Sequence, residues 1–572
     1  MFIKKGRLIS YGILLLIITV YSFVFITKMF QLSVDISGQK YFVISDDAFI
    51  SMRYANNLAL GYGLVWNAGE RVEGYTNFLW VIWMYLLHLL PIAKNIIPGI
   101  LQLSILAFNI ITFFILRLLA SKFFQSKEGG LLEEKNNRYL PLIENIPVFL
   151  LAFTTTFIAN ALNGLETTFL AMALLGLVYS FYQLFTDGGQ RYYFYIIFWQ
   201  TIGVLTRDDF VLVSLVAGAF FWLLKMDEIS LAGLKKSLSK RNIKIFLLLF
   251  AIPALAKISH LGFRFYYYNE FLPNTYYQKL LGWDTVHKLL SGSKYLIKFI
   301  WGFPLFLTVI AVFLWRLLKR FSRSLSVFDK LIYFLVAIVL VNTIYFFNAG
   351  GDLIGENRFF VPIYSLLYLL FVVAIFYFIA KYKIVLNLFT LVIFSLAILT
   401  VTPYFIRFKD GWSAVGIHDQ SNIAWGIIYA KYLKEKDSQA KIAVYHAGSF
   451  PYWSEMYSVD MLGLNEKHIA RTVYRGARVS PGHSKYDYDY VFAKYNPDYI
   501  INGDEPENFT PQDADKMLKL AEVSGYPFGP GLFGNQTFLK KYYPNKFVLP
   551  SDFYEVAGNF GGYMPVLYKR GR

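Results

Sequence analysis

Two carboxylates stand side by side in Ser45-Asp46-Asp47-Ala48-Phe49, followed closely by Arg53 and Tyr54. Adjacent acids raise each other's pKa, and a group that must take a proton from a hydroxyl needs that kind of tuning. One of the pair can act as a general base while the other positions it, or both can hold a divalent cation such as Mg, Mn or Ca through carboxylate oxygens. The same residue types also cap helices, because a Ser or Asp ahead of a helical pattern satisfies orphan amides. The stretch runs on through Gly61-Tyr-Gly-Leu-Val-Trp-Asn67 and Gly69-Glu-Arg-Val-Glu73-Gly-Tyr75-Thr76.

Four further polar clusters follow. Gly164-Leu-Glu166-Thr167 offers a carboxylate where a helix starts, and Thr206-Arg207-Asp208-Asp209 is a charged turn that reads as a salt bridge or as a phosphate contact. Tyr266-Tyr-Tyr-Asn-Glu-Phe-Leu-Pro-Asn274 carries more than an interfacial tyrosine belt requires. Asn348-Ala-Gly-Gly-Asp352, with Arg358 just after it, forms a Gly turn that lets backbone approach a ligand closely.

The elements that must hold these residues are apolar. The 572-residue chain is 56% hydrophobic, 19% aromatic and only 16% charged, with a mean hydropathy of +0.44. That composition excludes an ordinary soluble protein and a disordered one, and makes this an integral membrane protein. Zero cysteines remove disulfides and thiol chemistry, so the site must work with oxygen and nitrogen. The net charge of +17 sits in short loops, where it orients membrane spans rather than binding nucleic acid.

A basic start and an apolar stretch to about Phe30 read as a first span with its N-terminus in the cytoplasm. Further runs at 97–117, 144–162, 165–185, 191–206, 209–225, 244–263, 296–316, 329–348, 359–380 and 384–404 bring the expected total to eleven. The run 76–90 is too short to cross. Placing it along the outer leaflet, inside a first outer loop at 31–96, keeps the Lys/Arg-rich loops on the side of the N-terminus. The five clusters then gather on the opposite face as one extracytoplasmic pocket.

The expected fold is mostly α: a polytopic membrane domain at 1–405 and a soluble extracytoplasmic α/β domain at 406–572. Lys441-Ile-Ala-Val-Tyr445 and Pro497-Asp-Tyr-Ile-Ile501 read as strands of that outer domain, and 421–436 as an amphipathic helix. No metalloprotease, P-loop or nucleophile-elbow motif occurs.

These residues resemble a known family. The run from Asp46 to Tyr54, the Gly-x-Gly-Leu-Val-Trp-Asn67 and Gly-Glu-Arg-Val-Glu-Gly-Tyr-Thr-Asn77 runs, Gly-Leu-Glu166-Thr, Leu-Pro-Asn274-Thr and Gly-Gly-Asp352 look like the polyprenyl-phosphate-dependent glycosyltransferases of the GT-C superfamily. Within it, they are similar to the group containing the terminal arabinofuranosyltransferase B of actinobacterial cell walls. Asp460-Met-Leu-Gly-Leu-Asn465, Ile469-Ala470 and Gly482-His483-x-Lys485 match that group too, with Glu466 where the family often has Asp.

The resemblance implies a GT-C fold of about eleven transmembrane helices and a catalytic aspartate in the first outer loop, at Asp46 or Asp47. It implies a polyprenyl-monophosphate sugar donor, with arabinofuranose a candidate sugar, and an envelope glycan or glycolipid acceptor, joined at the outer face of the membrane. Donor phosphate and sugar would meet Arg53, Tyr54, Asn67, Glu73, Tyr75, Glu166, Arg207, Asp208, Asn274, Asp352, Arg358, His483 and Lys485, with membrane lipid around the spans. The resemblance fixes no cofactor, and Asp46 and Asp47 could hold a divalent cation. Competing readings are a lipid-linked glycan transporter or flippase, whose coupling residues belong near the bilayer midplane, and a polymerase or ligase with an undecaprenyl-diphosphate donor.

Overall fold

The computed structural model describes residues 2–126, 131, 138–226, 231–303, 306–307, 309–310, 313, 326–352, 357–381, 420–474, 482–502, 511–516, 519, 531–547 and 566–571. Six helical stretches among these are long and apolar enough to cross a membrane: Gly6–Leu32, Lys94–Gln125, Thr167–Thr186, Lys240–Tyr268, Val327–Asn348 and Arg358–Ala380. The expected span 384–404, the domain boundary at 405/406 and most of 304–325 lie outside the described residues.

Helix α1 (Phe2–Leu32) leads through a small hairpin, β1 (Val34–Ile36) and β2 (Gln39–Tyr41), into α2 (Asp46–Ala59). Ser45 starts α2: its backbone is extended and its Oγ accepts from the amide of Ala48 at 3.3 Å. Helix α3 (Phe78–His88) occupies the short apolar run expected at 76–90 and packs on α2. Helix α4 (Ile97–Gln125) follows.

The expected span 144–162 is not one helix. It is two short ones, α6 (Ile146–Ala152) and α7 (Thr155–Leu162), preceded by the single turn α5 (Leu140–Ile143). Pro141 and Pro147 stand in the first turns of α5 and α6, where a missing amide proton is tolerated, and the extended backbone of Thr154 separates α6 from α7. Helices α8 (Thr167–Thr186), α9 (Arg191–Thr206) and α10 (Phe210–Lys225) match the expected runs, although α9 and α10 have only 16 residues each.

After the short α11 (Leu231–Ser237) come α12 (Lys240–Tyr268), α13 (Asn274–Lys279), α14 (Thr285–Gly302), α15 (Val327–Asn348) and α16 (Val361–Lys381). Helix α8 is buried on nearly all sides and packs on α4, α9 and α16, so it forms the centre of the bundle.

The C-terminal part opens with α17 (Gln420–Lys436). This helix is not amphipathic as expected. Ile423 to Ala430 are buried all round, because α17 joins the same apolar core as the bundle. A five-stranded sheet follows in the order β4-β3-β5-β7-β6, with β3 at Ile442–Val444, β4 at Ser458–Asp460, β5 at Tyr499–Asn502, β6 at Lys546–Phe547 and β7 at Val566–Lys569. Strands β4, β3 and β5 run parallel, with Ala443 opposite Val459 and Ile500, while β7 is antiparallel to both β5 and β6. The short helix α18 (Ser449–Ser454), between β3 and β4, lies directly against α2.

Candidate active site

Neighbouring residues on an α-helix point about 100° apart, so Asp46 and Asp47 cannot share a target once Ser45 makes them the first turn of α2. Asp46 faces the C-terminal sheet domain. Its Oδ2 accepts from the amide of Gly448 at 3.0 Å and its Oδ1 from Ser449 at 2.7 Å. Asp47 turns the other way and lines a polar cavity with its side chain 32% exposed. The expected acid pair is thereby divided into one structural acid and one acid in the cavity. Asp46 is held by amides and Asp47 by Arg358, and among the described residues no group of three or more His, Cys, Asp or Glu stands together.

The cavity encloses about 560 Å³ of empty space, its open mouth included, and Asp47, Glu166, Arg207, Lys279 and Arg358 are its charged lining. Asn77, Ser51, Thr76, Thr167 and Thr275 supply neutral polar groups. Each arginine is held by two carboxylates. Arg207 donates through Nη1 to Glu166 at 3.0 Å and through Nε and Nη2 to Asp209, both at 3.0 Å. Arg358 donates through Nη1 to Asp47 at 2.9 Å and pairs through Nε with Asp352. Glu166 also accepts from Asn77 Nδ2 at 2.9 Å, which fixes the carboxylate at the start of α8.

Lys279, at the end of α13, is different: its ammonium makes no hydrogen bond or ion pair among the described residues. No motif in the sequence marks it. Its only signal was a lysine five residues past Asn274, at the end of the short helix that the Leu-Pro-Asn turn begins. Burial raises the pKa of the Asp47 carboxyl, but the positive charges of Arg358, Lys279 and His483 outweigh it and hold the group below its ordinary value.

A second cavity, of about 420 Å³, adjoins the first and shares Thr167, Arg207 and Arg358 with it. Its other walls include Leu170, Leu174, Phe210, Val213, Phe346 and Pro362, from α8, α10, α15 and α16. A polar chamber and an apolar one thus meet at two guanidinium groups.

Several expected ligand contacts are structural instead. Arg53 donates through Nε and Nη1 to the carbonyls of Trp66 and Pro451, and through Nη2 to Asn67 Oδ1 and the Met456 carbonyl, both at 2.9 Å. Tyr54 donates toward Val72 and Asn465, and Asn67 Nδ2 donates to the Ser458 carbonyl at 2.8 Å. Asn274 Nδ2 donates to the carbonyls of Gly463 and Leu464, both at 2.9 Å. Lys485 Nζ donates to three carbonyls, those of Tyr277, Leu281 and Ala470, at 2.7, 2.8 and 2.9 Å. A buried charge satisfied this fully is a rivet between segments. Tyr75 lines the polar cavity, its hydroxyl 3.1 Å from that of Tyr268.

Glu73 and Asp208 belong to a separate ionic cluster on α12, not to the cavity wall. Arg264 Nε lies 2.6 Å from Glu73, and Asp208 accepts from Lys257 and from Arg264. Burial pushes the Glu73 carboxyl above its ordinary value against the pull of Arg264, whereas Arg264 and Lys257 overcome burial and lower Asp208. Asp209, not Asp208, holds the cavity arginine.

Residues 416–560 match a family model described as a domain of unknown function, DUF8728. A 46-residue stretch is 52% identical to the terminal beta-(1->2)-arabinofuranosyltransferase of Corynebacterium glutamicum; it covers 8% of this chain and 7% of that protein. Two solved structures are similar over almost the whole chain. One is the archaeal oligosaccharyltransferase AglB from Archaeoglobus fulgidus, in complex with an inhibitory peptide and a dolichol-phosphate, at TM-score 0.52 and 10% identity over 98% of this chain and 74% of that one. The other is ArnT from Cupriavidus metallidurans bound to undecaprenyl phosphate, at TM-score 0.52 and 12% identity over 97% of this chain and 98% of that one. The chain has the GT-C fold. Within this GT-C frame the charged cavity residues come from helix ends and turns: Asp47 from the start of α2, Glu166 from the residue before α8, Arg207 from the α9–α10 turn and Arg358 from just before α16.

Proposed function

We propose that the chain is a membrane glycosyltransferase that moves a sugar from a polyprenyl-monophosphate donor to a hydroxyl of an envelope glycan or glycolipid, outside the cytoplasm. The observation that carries this reading is the meeting of a polar and an apolar cavity at Arg207 and Arg358. A lipid-linked sugar has the same division, with its phosphate at the junction between sugar and tail. The similar proteins support it: an arabinofuranosyltransferase in one short stretch, and two similar folds solved with polyprenyl phosphates.

In this reading the isoprenoid lies along Leu170, Leu174, Phe210 and Phe346, and the sugar occupies the polar chamber. Because both arginines come already neutralised by carboxylates, Lys279 supplies the unshared positive charge for the phosphate. Asp47 takes the acceptor hydroxyl proton while the acceptor oxygen bonds to the anomeric carbon. The bond from that carbon to the phosphate oxygen breaks, its electron pair stays on the phosphate, and a polyprenyl monophosphate leaves. The departing phosphate gains charge as it goes, so Lys279 and the arginines hold it more strongly in the transition state than in the ground state. The charged residues of the site lie outside the six membrane-length apolar helices or, for Arg358, at the first residue of one, which favours transfer over a transporter with coupling groups in broken spans at the midplane.

The test is mass analysis of envelope glycans from cells lacking the gene and complemented with the native chain, Asp47→Asn or Lys279→Met. A sugar branch restored by the native chain and absent from the Asp47→Asn cells is expected. Restoration of the branch by Asp47→Asn excludes the base role.

A further inference from the structure

Helix α2 has two working faces. Asp47, Ile50 and Ser51 look into the polar cavity. Asp46, Phe49, Arg53 and Asn56 look to the C-terminal sheet domain, at the three- and four-residue spacing of one helical face. Along that second face the domain holds the helix by backbone and side chain. Gly448 and Ser449 donate to Asp46, the Tyr452 and Trp453 rings pack on Phe49 at 5.3 and 5.7 Å, and the Met456 carbonyl accepts from Arg53. The fit at Gly448 is closed. A Cβ there would stand 1.9 Å from the Asp46 carbonyl oxygen and 2.8 Å from its Cγ, at a backbone φ of −102° that any residue could adopt.

We propose that the sheet domain aims the catalytic carboxylate: Asp46 is a positioning residue, clasped by the Gly448 and Ser449 amides so that Asp47, the next residue, is held against Arg358 in the cavity. The clasp rests on the reading of Asp47 as the base. It gives the domain a role in the chemistry itself, through a contact that spans some four hundred residues of sequence. Nothing in it requires the domain to touch the donor.

Two variants break the clasp from opposite sides. Gly448→Ala crowds the first turn of α2 without altering α2. Asp46→Asn keeps the shape of the side chain but sets an NH2 group against an amide donor. Each is to be read in the full chain, first by hydrogen–deuterium exchange and by binding of undecaprenyl phosphate, then by transfer from synthetic farnesyl-phosphoryl arabinofuranose. The expected result is faster exchange across 46–52, lipid-phosphate binding unchanged within about twofold, and a kcat lower by roughly a hundredfold, the cost of displacing a reacting group by ~1 Å. The acidic limb of the pH profile should also move to higher pH, because Asp47 keeps Lys279 and His483 nearby but loses part of its contact with Arg358.

If Gly448→Ala does not fold, Asp46→Asn carries the test. Native exchange at 46–52 with a native pH limb in a folded variant overturns the proposal, and so does loss of lipid-phosphate binding, which would make the clasp a general scaffold. Absence of transfer from this donor by the native chain excludes arabinofuranose as the sugar and leaves the clasp to be decided by exchange, which still reports whether it orders α2.

Discussion

A phosphate entering the polar cavity meets two arginines whose charge is already spoken for, Arg207 by Glu166 and Asp209 and Arg358 by Asp47 and Asp352. Lys279→Met should therefore lower kcat/KM for the lipid donor by roughly 10- to 100-fold, as loss of one hydrogen bond to a charged group implies, with kcat falling because the lysine holds the departing phosphate more strongly in the transition state; steady-state kinetics with varied donor checks this. The Asp47 carboxyl is held below its ordinary value, so the base proposed there stays ionised as pH falls. The rate should stay flat from pH 7 to about 5 and fall only below the ordinary carboxylate value of about 3.9, which a pH–rate profile would show. Asp47, Glu166, Arg207, Asp352 and Arg358 were all legible as candidates, because ionisable groups between apolar runs stand out. Their division of labour was not. Ser45 already marks a helix start, and a helix start sends Asp46 and Asp47 in different directions. Arg53, Asn274 and Lys485 carry the residue types of a phosphate site, but the carbonyls that consume them come from distant segments, which no local pattern reveals.

Between elements, the contact of α2 and the turn before α4 with the C-terminal part includes an ionic tie at Glu455. Burial would raise its carboxyl, but Lys94 and Lys434 hold it down to about 2. A depressed carboxylate stabilises the fold above its unfolded value and loses that contribution as pH falls from about 4.5 toward 2. The melting temperature of the native chain should therefore decline over that window more steeply than that of Glu455→Gln, which differential scanning fluorimetry across pH would read. All three side chains are partly exposed, so the difference should be modest. Helix periodicity and length gave α1, α4, α8, α12, α15 and α16 from sequence. Pro147 marks the start of α6, but the break inside 144–162 falls at the extended Thr154, which no local pattern in an apolar run reveals. The all-round burial of α17 could not be read, because its covering surfaces are the bundle and α18.

At the scale of the molecule, the GT-C architecture was legible because hydropathy counts helices and the first-loop motif is specific. Orientation rests on the basic loops. A reporter fused after Arg138 should give a cytoplasmic signal, and an external signal there would invert the account. Two cavities, one polar and one apolar, share Thr167, Arg207 and Arg358, with Asp47 on the polar wall. The most direct measurement is single-turnover sugar transfer by the purified chain from a synthetic polyprenyl-phosphoryl sugar, comparing the native protein with Asp47→Asn at matched donor occupancy. The account predicts that transfer slows by about 10²–10⁴-fold, the usual contribution of a general base, while donor affinity is retained. Transfer at the native rate by Asp47→Asn would contradict it.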